Sequence, residues 1–159
     1  MDQLNEIKII DFITESGETI SSINLSYQVF GKKLGDAPVV LINHALTGNS
    51  NITGKNGWWK EIVGKGKTIN TKKFSIISFN IPGNGFCSND FYPPDKFHLG
   101  DIANLFILAL KELKINKLHS IIGGSIGGCL TWEIAIKKPS IAKFIIPIAS
   151  DWKARDWMI

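Results

Sequence analysis

A largely parallel α/β sheet opened by an antiparallel hairpin is the architecture this sequence predicts, and three observations predict it. Near the N-terminus, Ile23, Leu25, Tyr27 and Val29 recur at every second position, the period of a half-buried strand. From Pro38 onward the strand candidates "VVLINH", "FSIISFN", "LHSIIGG" and "IAKFIIPIAS" lose that alternation and become continuous apolar runs, as strands buried on both faces do. The last two runs are preceded by "DIANLFILALKELKI" and "SIGGCLTWEIAIKK", which read as helices. Alternation of this kind implies right-handed crossovers in a doubly wound sheet, with ligands at the carboxyl ends of its strands.

The elements follow in order. "IKIIDF" and "SSINLSYQVFG" are two strands around the turn-forming "ESGE". "VVLINH" is a short buried strand, "GWWKEIVG" is expected to be a short helix, and "FSIISFN" is a further strand that ends at the breaker "IPGNG". In the next helix Ile102, Leu105, Phe106, Ala109, Leu110 and Leu113 form one apolar stripe, and Asp101 is a plausible N-cap. "LHSIIGG" returns to the sheet, the helix after it stops at Pro139, and "IAKFIIPIAS" is the fourth parallel strand.

Composition narrows the function classes. With 159 residues, 44% hydrophobic and 20% charged, and no internal repeat, the chain is expected to be one domain, residues 1–159. The opening "MDQLNEIKII" has neither a secretory signal nor a membrane-spanning run, so the expected compartment is the cytoplasm. Cys87 and Cys129 offer no metal-ligand spacing and no disulfide framework, which makes them packing residues and leaves no metal expected. The net charge of +4 is carried almost wholly by lysine, with Arg155 the single arginine, whereas readers of phosphates and base edges favour arginine forks. Nucleic acid is therefore not an expected partner. The lysines between Lys55 and Lys73 read as a solvated, loop-rich surface.

The stretch that carries chemistry is "IIGGSIGGCL", Ile121 to Leu130, where one serine stands between two glycine pairs. Glycines cost backbone entropy on folding and bury almost nothing, so packing alone does not explain them. A dinucleotide fingerprint fails because Ser125 stands where the second glycine should be. A phosphate-binding loop at "GKT", Gly66 to Thr68, fails because Glu61 replaces its first glycine. G-x-S-x-G does fit, at Gly123 to Gly127, between a strand and a helix. In such a turn the serine is held strained with its hydroxyl exposed, and Gly123 and Gly127 let strand and helix approach closely. The helix N-terminus adds positive potential, and the Ile126 N–H is placed to stabilise an oxyanion. A second motif, "NHALTG" from Asn43 to Gly48, leaves the "VVLI" strand where a hydrolase sheet of this order supplies its other oxyanion donor, here the N–H of Leu46.

The combined "HALTG", "GWW" and "GGSIGG" set, running from about Tyr27 to the end, resembles the homoserine O-acyltransferases, enzymes of the α/β-hydrolase fold. The resemblance implies an acyl-CoA donor, usually acetyl-CoA, an acyl-serine intermediate on Ser125, and an oxyanion hole from Leu46 and Ile126. It further implies that Asn49, Ser50, Asn51, Ile52 and Thr53 influence which acyl group or acceptor is taken. No bound cofactor is implied, and the partners are small molecules, acetyl-CoA and homoserine, in methionine biosynthesis; no membrane is implied and a homodimer is allowed. The stretch "FNIPGNGFCSND" departs from the asparagine-valine-leucine-glycine version common in the family.

A serine needs a histidine to take its proton and a carboxylate to fix that histidine's tautomer. In this fold the order is serine, acid, histidine, and after Ser125 stand the aspartates Asp151 and Asp156 but no histidine. His119 lies six residues before Ser125 on one strand, roughly 20 Å away. His98 precedes a helix with no evident link to the site, and His44 is expected to shape the oxyanion loop. The expectation is thus the N-terminal portion of an α/β-hydrolase core, ending before the lid and the last strands, with Trp152, Trp157, Met158 and Ile159 reading equally as the start of a lid or as a frayed apolar tail. A serine esterase and a non-catalytic fragment are the alternatives.

Overall fold

The expected hairpin opens the chain. Strands β1 (Asn5–Ile13) and β2 (Thr19–Gly31) pair antiparallel, from Asn5 opposite Tyr27 to Ile13 opposite Thr19. The chain is described by a computed structural model over residues 3–86 and 97–152, so Cys87, Arg155, Asp156, Trp157, Met158 and Ile159 lie outside the described residues. Beyond the hairpin come β3 (Val39–Asn43), the two-residue strands β4 (Val63–Gly64) and β5 (Ile69–Asn70), then β6 (Ser75–Phe79). Helix α1 (Leu99–Glu112), β7 (Leu118–Gly124), α2 (Ile126–Lys137) and β8 (Ala142–Ile148) complete the order.

Six strands form one sheet in the order β1-β2-β6-β3-β7-β8. β2 meets β6 antiparallel, Tyr27 opposite Phe79, while β6, β3, β7 and β8 run parallel. The continuous apolar runs are explained by the two clusters they feed. Leu41, Ile77, Phe79 and Ile121 point into one core with Leu105, Phe106, Leu110, Leu130 and Ile134 of the two helices. Their neighbours Val40, Ile42, Ile76 and Ile122 point the other way, against Ile52, Val63 and Ile69 with half-buried Trp59 and Phe74. Adjacent strand residues alternate faces, so a strand covered on both sides is largely apolar, and the buried Ser75 and Ser78 of β6 are satisfied by donating to the Lys33 and Ile42 carbonyls. Among the described residues, helices cover one face and the excursion between β3 and β6 covers the other.

Two local expectations are corrected. "GWWKEIVG" forms turns rather than a helix: the Ile62 and Val63 N–H groups both donate to the Trp59 carbonyl at 2.9 Å, and the chain then enters β4. A single turn flanked by Gly57, Gly64 and Gly66 has no length over which to propagate. Asp101 is the third residue of α1 rather than its N-cap, which is His98. Its fully buried carboxylate accepts the His98 N–H at 2.8 Å and the Glu15 N–H at 2.6 Å, tying α1 to the β1–β2 turn. The Lys137–Glu15 ion pair ties the end of α2 to the same turn.

β8 is the outermost parallel strand, with Phe144, Ile146 and Ile148 each more than 40% exposed. No helix among the described residues is long and apolar enough to cross a membrane.

Candidate active site

The site is built where β7 turns into α2. Ser125 sits between them with φ 56° and ψ −126°, a positive φ that residues with a Cβ seldom adopt. Its side chain makes no capping hydrogen bond to α2, and the residue is exposed. Its N–H donates to the Ile148 carbonyl at 3.0 Å, so the end of β8 fixes the turn from outside. Its own carbonyl accepts the N–H groups of Gly128 at 2.8 Å and Cys129 at 3.1 Å, which closes the first turn of α2. Ile126 is the first helical residue, so its N–H has no acceptor within the helix.

The two glycines of the motif are demanded by crowding. A Cβ on Gly123 would overlap the Gly127 carbonyl and come within 2.7 Å of Thr131 Oγ1. A Cβ on Gly127 would overlap the Asn43 carbonyl and lie 2.6 Å from that of His44. The exit of β3 therefore rests against the first turn of α2, in keeping with a register that sets Asn43 beside Gly123. Asn43 adds a buried clasp, its Nδ2 donating to Thr131 Oγ1 at 3.1 Å while that hydroxyl donates to the Gly127 carbonyl at 2.9 Å.

The loop after β3 is held from within. The Gly48 N–H donates to the Ala45 carbonyl at 2.8 Å, closing a turn whose tip carries Leu46, 70% exposed. His44 is buried beneath it, with Nδ1 2.7 Å from the Ala45 carbonyl and Nε2 accepting the Ile81 N–H at 3.0 Å. A carbonyl can only accept and an amide N–H can only donate, so these partners specify the neutral Nδ1–H tautomer. Burial pushes the His44 pKa below its ordinary value, against the bond to Ala45, which acts in the opposite direction. With Nε2 occupied, His44 has the bonding of a loop-shaping residue.

Residues 49–53 follow directly. Asn49 Oδ1 accepts the Asn51 N–H at 2.9 Å, and its carbonyl accepts the indole N–H of Trp58 at 2.8 Å. The Ser50 N–H donates to Asn80 Oδ1 at 2.8 Å, and Ser50 Oγ donates to Gln28 Oε1 at 2.8 Å. Ile52 is fully buried, and Thr53 Oγ1 donates to the Val63 carbonyl at 2.6 Å. Asn80 and Gln28 escaped the sequence reading, although each is a polar residue inside an otherwise apolar strand region, which is the signal that could have found them.

The remaining histidines stay apart. His119 lies near the amino end of β7, its ring between Phe74 and Phe144 at 4.9 and 5.3 Å, opposite the end that carries Ser125. His98 begins α1. Asp151, just past β8, accepts the Trp152 N–H at 2.9 Å, and its carbonyl lies 3.7 Å from Cys129 Sγ. Among the described residues no three His, Cys, Asp or Glu side chains gather as metal ligands.

A strained serine between a parallel strand and a helix, crossed by the loop of the neighbouring strand, is the layout of one large enzyme class, and the chain belongs to it. Residues 38–155 match the alpha/beta hydrolase fold family. Within that class the chain is similar to the homoserine O-acetyltransferase of Corynebacterium diphtheriae, 34% identical over 98% of this chain and 44% of that protein. The crystal structure of the homoserine O-acetyltransferase from Staphylococcus aureus superposes with a TM-score of 0.78 at 30% identity, covering 88% of this chain and 46% of that one. An acetylester hydrolase from Corynebacterium glutamicum shares the fold, with a TM-score of 0.81 at 24% identity over 98% of this chain and 46% of that one. The chain thus spans less than half the length of these relatives.

Proposed function

We propose that this chain carries the nucleophile and oxyanion half of an acyl-transfer site of the homoserine O-acetyltransferase type. The observation that carries the reading is the conformation of Ser125, strained, exposed and set at the N-terminus of α2 with the His44–Leu46 loop packed against the same turn. Backbone strain persists only where the surroundings over-determine it, and such residues cluster at reactive sites.

In the proposed reaction Ser125 Oγ attacks the thioester carbonyl of acetyl-CoA, and the oxygen, as it becomes negative, is met by the N–H groups of Leu46 and Ile126. The C–S bond then breaks, the thiol leaves with a proton, and an acetyl-serine remains. The hydroxyl of homoserine attacks that ester, the new C–O bond forms, and Ser125 is regenerated as O-acetylhomoserine departs. Both steps need a base, and the residues after Ser125 include no histidine to serve as one. Residues 49–53 border the loop and are the proposed selectors of acyl group or acceptor. The proposal includes a role in methionine biosynthesis in the cytoplasm.

The similarity to homoserine O-acetyltransferases over nearly the whole chain supports transfer. Ester hydrolysis is the second reading, favoured by the exposure of Ser125 and by the shared fold of the acetylester hydrolase. Thiol release from acetyl-CoA, measured on a protein that includes the C-terminal half of the fold, separates them: release that depends on homoserine supports transfer, whereas release that is indifferent to it points to hydrolysis.

A further inference from the structure

We infer that Asn80, at the end of β6, is a positioning residue for acyl selection: it sets residues 49–53 against the oxyanion loop. The inference deepens the acyl-transfer reading and rests on it. Asn80 is fully buried, and its side-chain amide makes four hydrogen bonds. Oδ1 accepts the Ser50 N–H at 2.8 Å and Asn84 Nδ2 at 3.1 Å; Nδ2 donates to Ser26 Oγ at 2.7 Å and to Ser50 Oγ at 3.0 Å. Its backbone N–H donates to the Ser26 carbonyl at 2.9 Å, so β2 holds it rigidly. The orientation of the amide is not ambiguous, because a backbone N–H can only donate and must face the oxygen.

Burying an amide together with Gln28, Ser26 and Ser50 is costly unless every group is satisfied, and an apolar residue would fill the sheet at less cost. What the amide supplies is a connection. Ser50 lies in the proposed selectivity segment, and Asn84 Nδ2, held by Asn80, lies 3.5 Å from His44 Nε2. The adjacent residue, Ile81, donates its N–H to that same nitrogen. Two successive residues at the end of β6 thus grip the two successive parts of the loop, Asn80 the segment through Ser50 and Ile81 the oxyanion turn through His44. The separation between Leu46 N–H and residues 51 and 53 follows from that shared anchor.

The test compares a protein that includes the C-terminal half of the fold with its Asn80→Ala variant by two readouts. Amide hydrogen exchange reports the hold on Ser50; peptide-mapped acylation of Ser125 by p-nitrophenyl acetate and p-nitrophenyl butyrate reports selection, with the base supplied by the C-terminal half. The expected result is exchange at Ser50 accelerated by about tenfold more than at Ile42 and Ile121 in the central strands, with the acetate-to-butyrate ratio changed by about fivefold. Exchange at Ser50 that rises only in step with Ile42 and Ile121, or an unchanged ratio, overturns the inference. If Asn80→Ala does not fold, Ser50→Ala, which removes only the hydroxyl bridging Asn80 and Gln28, must shift the ratio, and an unchanged ratio there is equally decisive. Absence of Ser125 acylation by either ester in the parent protein that includes the C-terminal half would sink the acyl-transfer reading and the selection role together, while the exchange readout would still decide whether Asn80 holds Ser50.

Discussion

His44 and Ile81 are joined across two neighbouring strands, the imidazole Nε2 accepting the Ile81 N–H at 3.0 Å while Nδ1 donates to the Ala45 carbonyl. A protonated ring would turn a donor toward a donor, so the folded protein resists protonation, in agreement with a pKa pushed below 6.5 by burial. Above about pH 6.5 the ring is neutral in both folded and unfolded chains and the full contribution to stability is present. As the pH falls from the unfolded value through the depressed folded one, the unfolded chain binds the proton first and stability is lost. Urea midpoints between pH 7.5 and 5 should therefore decline, and His44→Gln should remove part of that slope; an identical slope in the variant would show that His44 does not titrate as described.

Replacing Ser125 separates stability from chemistry. Glycine adopts the positive φ at this turn without a Cβ penalty, so Ser125→Gly should stabilise by about 1 kcal/mol, and Ser125→Ala should leave the fold nearly intact. Both should abolish acyl-enzyme formation. Thermal unfolding together with mass analysis of the acylated protein checks the pair, and an acyl adduct retained at the turn in the alanine variant contradicts the nucleophile assignment.

The glycines of the turn should not behave alike. Gly123→Val and Gly127→Val force a side chain into backbone carbonyls and should each destabilise by at least about 2 kcal/mol. A Cβ on Gly124 meets nothing within 4 Å, so Gly124→Ala should stay within about 0.5 kcal/mol of the parent. Equal effects at Gly124 and Gly127, read from denaturant midpoints, would show that the crossing is looser than described.

Taken by itself, the 159-residue chain should be a very poor acyltransferase. Ser125 lacks a following histidine, and loss of a triad member costs factors on the order of 10⁴. Turnover of acetyl-CoA and homoserine within about tenfold of a full-length relative would require another group to act as base. The exposed apolar row on β8 should also promote self-association, which Ile146→Lys should reduce in sedimentation experiments.

The sheet was readable because its signals are local. Continuous apolar runs such as Val39–Ile42 and Ser75–Phe79 report burial on both faces, and the glycine spacing around Ser125 reports a tight crossing. What escaped depends on partners distant in sequence. Asp101 looked like a helix cap because its second partner, the Glu15 N–H, lies 86 residues away. Asn80 was read only as the last residue of the strand "FSIISFN", since nothing in that stretch announces Ser26 and Ser50 as its partners. "GWWKEIVG" has helix-forming residues, but Val63 is drawn into β4 and buried against the sheet, and tertiary burial overrides local propensity.

Buried and half-buried positions alternate along the segment after the oxyanion loop: Ser50 and Ile52 are buried, whereas Asn49, Asn51 and Thr53 are partly open. Ile52 belongs to the core on the face of the sheet opposite α1 and α2, so a substitution there acts on folding first. Under the proposed selection role of residues 49–53, drift in specificity is channelled into the three open positions. A lineage could exchange acyl groups or acceptors through residues 49, 51 and 53 while inheriting an unchanged scaffold, and comparisons among descendants should find variation concentrated at those odd-numbered sites.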